Sequence, residues 1–107
     1  MSGTAEMHPT LLRQISKVSD VIAPSSNRVL IKGHTDNRPI GLSNEFASNW
    51  DLSSSRAVAI VNYMVNIQDI PQERFTLMSL ADTKPLDSNE TEEGRELNRR
   101  IEIILDY

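Results

Sequence analysis

Two short apolar runs, separated by a long helical pattern, constrain the fold of this chain more than any other feature. The first run is Val29-Leu30-Ile31, which ends at Gly33, and its length and β-branching predict a strand. The second is residues 75–80, whose mixed alternation of apolar and polar side chains also predicts a strand. Between them, residues 53–67 place apolar side chains on one wide face of a helix, with Ser53 as the predicted N-cap. A strand, a helix and a second strand in this order predict a parallel crossover.

Further elements flank this unit on both sides. Residues 1–8 are interpreted as a partly flexible lead-in with a clipped first strand, and residues 9–107 as a single domain. Pro9 is well suited to begin a helix that Pro24 ends, because apolar residues recur between them at helical spacing. Near the other terminus, Ile101, Ile103 and Leu105 alternate with Glu102 and Asp106, which predicts a last strand. Two polar segments, 34–51 and 81–97, are predicted to be long loops.

Charge and composition exclude several classes of function. The 107 residues include 11 basic and 15 acidic side chains, for a formal charge of −4, so the basic surplus of a nucleic-acid-binding protein is missing. No cysteine is present, which rules out a disulfide framework and a thiolate metal site. No apolar run approaches the roughly 20 residues of a membrane span, and no signal-peptide pattern opens the chain.

Polar residues from four separate segments are predicted to meet at one edge of the sheet. Asp36 and Asp82 follow the two parallel strands, and the crossover helix carries Arg56 in its predicted first turn. If the last strand is antiparallel, Asn98-Arg99-Arg100 enter from the same edge. Ligands of such sheets bind beyond the carboxyl ends of the strands. The sequence therefore predicts a binding site at this edge.

An acid and a base held apart on rigid elements suit a zwitterionic ligand. Asp36 can accept an ammonium, and Arg56 can bind a carboxylate through two parallel hydrogen bonds. Thr35 and Asn49 can add neutral donors and acceptors. The residues alone leave open a simpler alternative, in which Asp36 and Arg56 pair with each other as a structural ion pair.

Enzymatic interpretations find less support in the sequence. His34 and Asp36 suggest part of a catalytic triad, but no Gly-x-Ser-x-Gly elbow exposes a nucleophile. The chain has two histidines without H-E-x-x-H spacing, and its four glycines form no phosphate-binding loop. We therefore expect no catalytic activity, no metal site and no cofactor, and we interpret His34 as a structural residue that joins loop and sheet.

Three motifs in order resemble the OmpA-like domain, the peptidoglycan-binding module of outer-membrane proteins, Pal-type lipoproteins and flagellar stator B subunits. They are Gly33-His34-Thr35-Asp36, NWDLSSSRA at 49–57 and NRRIEI at 98–103. The segments 36–40 and 81–86 are most similar to stator subunits of the MotB/PomB type. The resemblance implies an α+β fold, a β-α-β-α-β-β two-layer sandwich with helices packed on one face of a mixed sheet.

The resemblance also implies a ligand and the residues that contact it. The ligand is the diaminopimelate of the peptidoglycan stem peptide, with its amine on Asp36 and its carboxylate on Arg56. The positions that line or support the groove match Thr35, Asn49, Leu52, Ala81, Asp82 and Arg100. The chain departs from the family at Ser79-Leu80-Ala81, where a glycine is usual, and this puts the backbone approach to the ligand in doubt.

We therefore expect a non-catalytic periplasmic anchor that ties a membrane-tethered protein, such as a flagellar stator subunit, to the cell wall. The resemblance implies a homodimer, and contact with a stator A subunit only through a transmembrane segment that these residues do not include. Two alternatives remain open at this stage. One is a dimerisation or protein-docking module with a vestigial groove, and the other is the anchor of a porin, a Pal-type lipoprotein or a secretion system.

Overall fold

The computed structural model describes residues 9–38 and 48–106. Three strands form one mixed sheet, in which the middle strand is parallel to one neighbour and antiparallel to the other. The elements, in chain order, are α1 (Pro9–Ile22), β1 (Arg28–His34), α2 (Asn49–Asn66), a 3-10 turn (Gln72–Arg74), β2 (Phe75–Ala81), α3 (Glu92–Asn98) and β3 (Ile101–Asp106). The sheet order is β2-β1-β3, so the parallel crossover and the antiparallel last strand are confirmed. The first strand predicted within residues 1–8 lies outside the described residues.

The core lies between the sheet and the first two helices. Alternation along β1 places Val29 and Ile31 on the buried face, where each is at most 1% exposed. The helices cover this face with the buried side chains of Ile15, Ile22, Ala57, Ile60 and Met64. Within the described residues, no helix is both long and apolar enough to span a membrane. The predicted α+β architecture is confirmed, with β1 at its centre.

The crossover helix begins earlier than its sequence pattern predicts. Its N-cap is Ser48, whose hydroxyl accepts a hydrogen bond from the backbone N–H of Asp51 at 3.3 Å. Ser53, the predicted cap, is instead a fully buried residue inside the helix, and its hydroxyl donates to the carbonyl of Trp50. Arg56 consequently lies two turns into α2 rather than in its first turn, so an anion bound there gains little from the helix dipole.

The second predicted loop contains a short helix that the sequence analysis missed. Thr91 caps α3 by accepting a hydrogen bond from the backbone N–H of Gly94, and Glu92 and Glu93 occupy its first turn. The helix buries Gly94 and Asn98 rather than an apolar stripe, so the usual periodicity is absent. Asn98 therefore ends a helix and does not begin β3, which was its predicted place.

Asn98 organises the segment that precedes α3. Its side chain is fully buried, and both of its polar atoms are satisfied. The oxygen accepts hydrogen bonds from the backbone N–H groups of Leu86 and Asp87, and the nitrogen donates to the Asp87 carbonyl and to the Asn89 side chain. One residue thus holds the chain between β2 and α3 against the domain.

The end of β2 shows how the chain accommodates Ser79-Leu80-Ala81 at the place where a glycine is usual in the family. Gly33 pairs with Ser79 and His34 with Ala81, so Leu80 is the extra residue of a bulge. Ala81 then takes a φ of 48°, the left-handed conformation that glycine adopts more readily than alanine. Its carbonyl accepts a hydrogen bond from the backbone N–H of Thr35 at 2.7 Å. Alanine here keeps the turn that a glycine would form, at the cost of local strain.

Candidate ligand-binding site

Asp36 is buried just beyond the end of β1, where two arginines bind its carboxylate. The side chain is only 7% exposed. One oxygen accepts a hydrogen bond from the backbone N–H of Arg38 at 3.0 Å. The other oxygen contacts Arg99 Nη1 at 2.6 Å and Arg38 Nε at 3.3 Å. The carboxylate is therefore held by two cations of the domain itself.

These partners keep Asp36 ionised in spite of its burial. Burial by itself would raise the pKa of the carboxyl group. The backbone N–H of Arg38 and the guanidinium of Arg99 outweigh this effect, and the pKa of Asp36 is lowered from its ordinary value. At neutral pH the site therefore presents a fixed negative charge.

Arg99 connects Asp36 to α3. Its second terminal nitrogen lies 2.8 Å from Glu92 Oε1, and its side chain is 25% exposed. The hydrogen bond to Glu92 contributes most to a raised pKa of Arg99, and burial opposes this, while Asp36 adds a second favourable contact. The short helix α3, which the sequence analysis missed, thus positions Arg99 at the site in two ways. Arg99 is the C-cap of the helix, and its guanidinium binds Glu92 in the first turn.

Arg56 differs from Arg38 and Arg99 because no partner for it is found in the part of the chain that the structure describes. Its side chain is half-buried on α2, and no side chain within residues 9–38 and 48–106 forms a hydrogen bond or ion pair with it. Burial lowers the pKa of Arg56, the charge of Arg99 lowers it further, and Asp36 opposes both. Arg56 is thus a desolvated cation close enough to Asp36 and Arg99 to feel their charges. The simple Asp36–Arg56 ion pair that the sequence left open is not formed.

Neutral residues fix the backbone around Asp36. The Thr35 hydroxyl donates to the Asp36 carbonyl at 2.9 Å, and Thr35 itself is 3% exposed. The Asn49 side-chain nitrogen donates to the carbonyls of Asp36, at 3.4 Å, and Arg38, at 3.0 Å. Leu52 is half-buried in the first turn of α2, and its backbone N–H donates a hydrogen bond to the Ser48 carbonyl. Thr35 and Asn49 thus contact the Asp36 segment directly, and Asn49 joins that segment to α2.

The remaining predicted residues lie around the end of β2 and β3. Ala81 is buried beneath Thr35, whereas Asp82 is exposed and forms no hydrogen bond or ion pair with the described residues around Asp36. Arg100 directs Nε to Glu102 at 2.9 Å and Nη2 to the Lys84 carbonyl at 3.0 Å. Of the two adjacent arginines, the structure therefore brings Arg99 rather than Arg100 onto Asp36.

His34 is buried next to the Arg100–Glu102 pair. The ring is 2% exposed, and its Nε2 lies 3.4 Å from Glu102 Oε1, too long for a good hydrogen bond. Among the described residues, neither ring nitrogen forms a hydrogen bond. Burial lowers the pKa of His34, and the charge of Arg100 lowers it further, while Glu102 opposes both. The imidazole is therefore mostly neutral at pH 7, and it lies at the end of β1, next to Glu102 of β3.

This burial predicts a pH dependence of folding stability. Folding lowers the pKa of His34 below its ordinary value of 6.5. At pH values above 6.5 the neutral ring is therefore no burden on the folded state, and stability is lost as the pH falls from 6.5 towards the lower pKa of the folded domain. We expect the free energy of unfolding to fall by up to about 1.4 kcal/mol per pH unit from this one group below pH 6.5. Urea titrations from pH 7.5 to 5 measure the slope. An NMR titration that placed the His34 pKa at or above 6.5 would contradict the expectation.

Two cations at the site were missed from the sequence. Arg38 was noted only as part of the 36–40 segment, and Arg99 was named only as a member of the NRR motif. The sequence analysis had no local signal for Arg99, because this residue is the C-cap of α3 and does not belong to β3, which begins at Ile101.

Comparison with known proteins places this geometry in a family. Residues 1–99 match the OmpA family. The chain is 41% identical over 95 residues to Motility protein B of Bacillus subtilis, covering 89% of this chain and 35% of that protein. It is 31% identical over 102 residues to peptidoglycan-binding protein ArfA of Mycobacterium tuberculosis, covering 94% of this chain and 29% of that protein.

A solved structure agrees with both matches. The fold superposes on that of a MotB-like protein from Desulfovibrio vulgaris with a TM-score of 0.87 and 30% identity, covering 97% of this chain and 64% of the other. The chain therefore spans roughly a third of the curated relatives and under two thirds of the solved one. The chain belongs to the OmpA family and resembles its MotB-type members.

Proposed function

We propose that this domain binds peptidoglycan without catalysis, through the free end of diaminopimelate in the stem peptide. That end carries an ammonium and a carboxylate on one carbon atom. In the proposed complex, Arg56 binds the carboxylate and Asp36 binds the ammonium. The observation that carries the proposal is the Arg56 guanidinium, which is desolvated and lacks a partner among the described residues.

An unpaired, half-buried cation is costly to keep unless a ligand uses it. Burial of a charge without a partner is unfavourable, and buried arginines are usually satisfied by carboxylates or carbonyl groups. The nearest acid, Asp36, is already bound by Arg99 and Arg38. Arg56 is therefore free to bind the carboxylate of a ligand with the planar, two-point geometry that arginine provides.

The other predicted residues have supporting roles in this proposal. Thr35 and Asn49 hold the backbone that carries Asp36, and Leu52 offers apolar surface on the first turns of α2. The Ala81 carbonyl accepts a hydrogen bond from the backbone N–H of Thr35 and so fixes its position. Asp82, which is exposed, and Arg100, which binds Glu102 and the Lys84 carbonyl, are proposed to contact the more distant parts of the stem peptide.

The domain is proposed to anchor a larger protein to the cell wall in the periplasm. Support comes from the relatives, one of which is a peptidoglycan-binding protein and another a motility protein. A role within a flagellar stator, tethering by a transmembrane segment and assembly as a homodimer are parts of the same proposal.

Competition for insoluble peptidoglycan tests this function. We expect the domain to sediment with diaminopimelate-type peptidoglycan and to be released by the soluble tripeptide L-Ala-γ-D-Glu-diaminopimelate. The matched control is the same tripeptide with lysine in third place, which keeps the amine but lacks the carboxylate. It should compete about tenfold less well or worse, since a hydrogen-bonded charge contact is lost. Equal competition by both peptides, or release of soluble wall fragments by the domain, would contradict the proposal.

A second candidate is a dimerisation module with a vestigial groove. Its support is an apolar edge of the sheet, where Leu77 and Met78 of β2 are 42% and 40% exposed. Light scattering measures the oligomeric state. A domain that forms dimers but is not retained by peptidoglycan would favour this candidate over the first.

A further inference from the structure

The Asp36 carboxylate is not accessible to a ligand ammonium in the free domain. It is 7% exposed, and it already accepts three contacts, from the Arg38 backbone N–H, Arg38 Nε and Arg99 Nη1. A carboxylate offers about four lone-pair sites, so little capacity remains. A ligand amine can reach Asp36 only if one of these groups moves away.

The two guanidiniums differ in how firmly they are held. Arg99 lies 2.6 Å from Asp36, is 25% exposed and binds Glu92 at the same time. Arg38 makes a longer contact of 3.3 Å through Nε, and its side chain is 58% exposed. Exposed ion pairs contribute little, because water screens them and the side chain loses freedom when it is held. Arg38 is therefore the cation that gives way.

We propose that the Arg38 side chain is a built-in competitor of the ligand ammonium, occupying its place on Asp36 until ligand binds. The inference rests on the proposed function and names the residue that limits affinity for the amine. Binding then exchanges one cation for another at Asp36, whereas Arg56, which has no partner within residues 9–38 and 48–106, gains one.

The backbone around Arg38 allows this exchange at low cost. The Arg38 N–H stays on one Asp36 oxygen, and the Arg38 carbonyl accepts a hydrogen bond from the Asn49 side chain at 3.0 Å. The main chain is thus fixed on both sides of the residue. Only the exposed side chain has to rotate into solvent, which leaves the second Asp36 oxygen to Arg99 and the incoming amine.

Calorimetric titration of the Arg38→Gln variant tests the inference. With L-Ala-γ-D-Glu-diaminopimelate as the probe, we expect about two- to fivefold tighter binding than that of the unmodified domain. A second tripeptide, with 2-aminopimelic acid in place of diaminopimelate, keeps the carboxylate but lacks the amine. For that peptide the variant and the unmodified domain should bind equally well.

Charge-matched controls separate competition from a general electrostatic effect. Arg28→Gln removes one positive charge at the opposite end of β1 and should leave both affinities unchanged. Unchanged or weaker binding of the diaminopimelate peptide by Arg38→Gln would overturn the inference, and so would an equal gain for the peptide that lacks the amine. If replacement of Arg56 abolishes binding but replacement of Arg38 does not tighten it, only this inference is wrong. If no variant binds either peptide, the proposed function is wrong as well.

Discussion

Gly33→Ala is expected to destabilise the domain by about 3 kcal/mol or more, at the upper end of the usual cost of overpacking. A methyl group on Gly33 would lie 2.3 Å from the Ser53 carbonyl oxygen and 3.0 Å from its carbon. Both are backbone atoms of α2, so no side-chain rotation relieves the clash. The whole helix must move away from β1, which opens the core between them. For a domain whose total stability is about 5–15 kcal/mol, this is a large fraction.

Urea denaturation followed by circular dichroism measures this effect as a lower midpoint at an unchanged slope. Lys32→Ala is a suitable control, since it adds no atoms at the neighbouring position of the same strand and should change stability little. Gly94→Ala is a second test of the same effect, because its methyl group would clash with the backbone carbonyl of Ser88, in a segment that Asn98 holds by hydrogen bonds, and it should also be strongly destabilising. A loss below about 1 kcal/mol for Gly33→Ala would show that α2 is not packed so closely on β1.

The close packing of α2 on β1 also shows which parts of the fold could be predicted from the sequence and which could not. The strands were found because β-branched runs and alternation are local signals, and the parallel crossover follows from their order. The start of α2 was misplaced because Ser48 and Ser53 are both good N-cap residues. Their roles are decided by tertiary contacts: Ser53 is buried against β1 and β2, where its hydroxyl contacts Trp50 and Ser79. The sequence contains no local signal for that packing.

The α3 helix was missed for a different physical reason. Its sequence, EEGRELN, contains one apolar side chain, and that residue, Leu97, is 50% exposed. The helix is stabilised instead by the Thr91 cap, by acidic residues in its first turn and by the buried amide of Asn98. Periodicity of apolar residues cannot reveal an element whose buried face is a glycine and an asparagine.

For the candidate site, the sequence predicted which residues come together better than it predicted which cation binds Asp36. Asp36, Arg56, Thr35 and Asn49 were identified from the ends of strands and from the family motifs, and the first, third and fourth are in direct contact. Which cation pairs with Asp36 depends on the side chain of Arg99, 63 residues along the chain. Arg99 is the C-cap of α3 and also binds Glu92 in the first turn of that helix, an element that the sequence analysis did not include.

Replacement of Arg56 is expected to separate binding from stability. Arg56→Met keeps most of the apolar stem and removes the charge, and it should weaken binding of the diaminopimelate tripeptide about 30-fold or more. The free domain should be as stable as before or more stable, because the lost guanidinium was desolvated, close to Arg99 and without a partner among the described residues. Calorimetric titration and thermal unfolding measure the two effects on one sample.

Arg74 provides a control with the opposite expected pattern. Its guanidinium donates to the Asn27 carbonyl at 2.8 Å and to the Ser25 hydroxyl at 3.3 Å, joining the 3-10 turn to the segment before β1, away from the site. Arg74→Met should therefore lower the unfolding temperature and leave peptide affinity unchanged. If Arg56→Met lowers stability as Arg74→Met does and binding persists, Arg56 is a structural residue and the ligand carboxylate binds elsewhere. Arg56→Lys should fall between the unmodified domain and Arg56→Met in affinity, because lysine keeps the charge but not the two-point geometry.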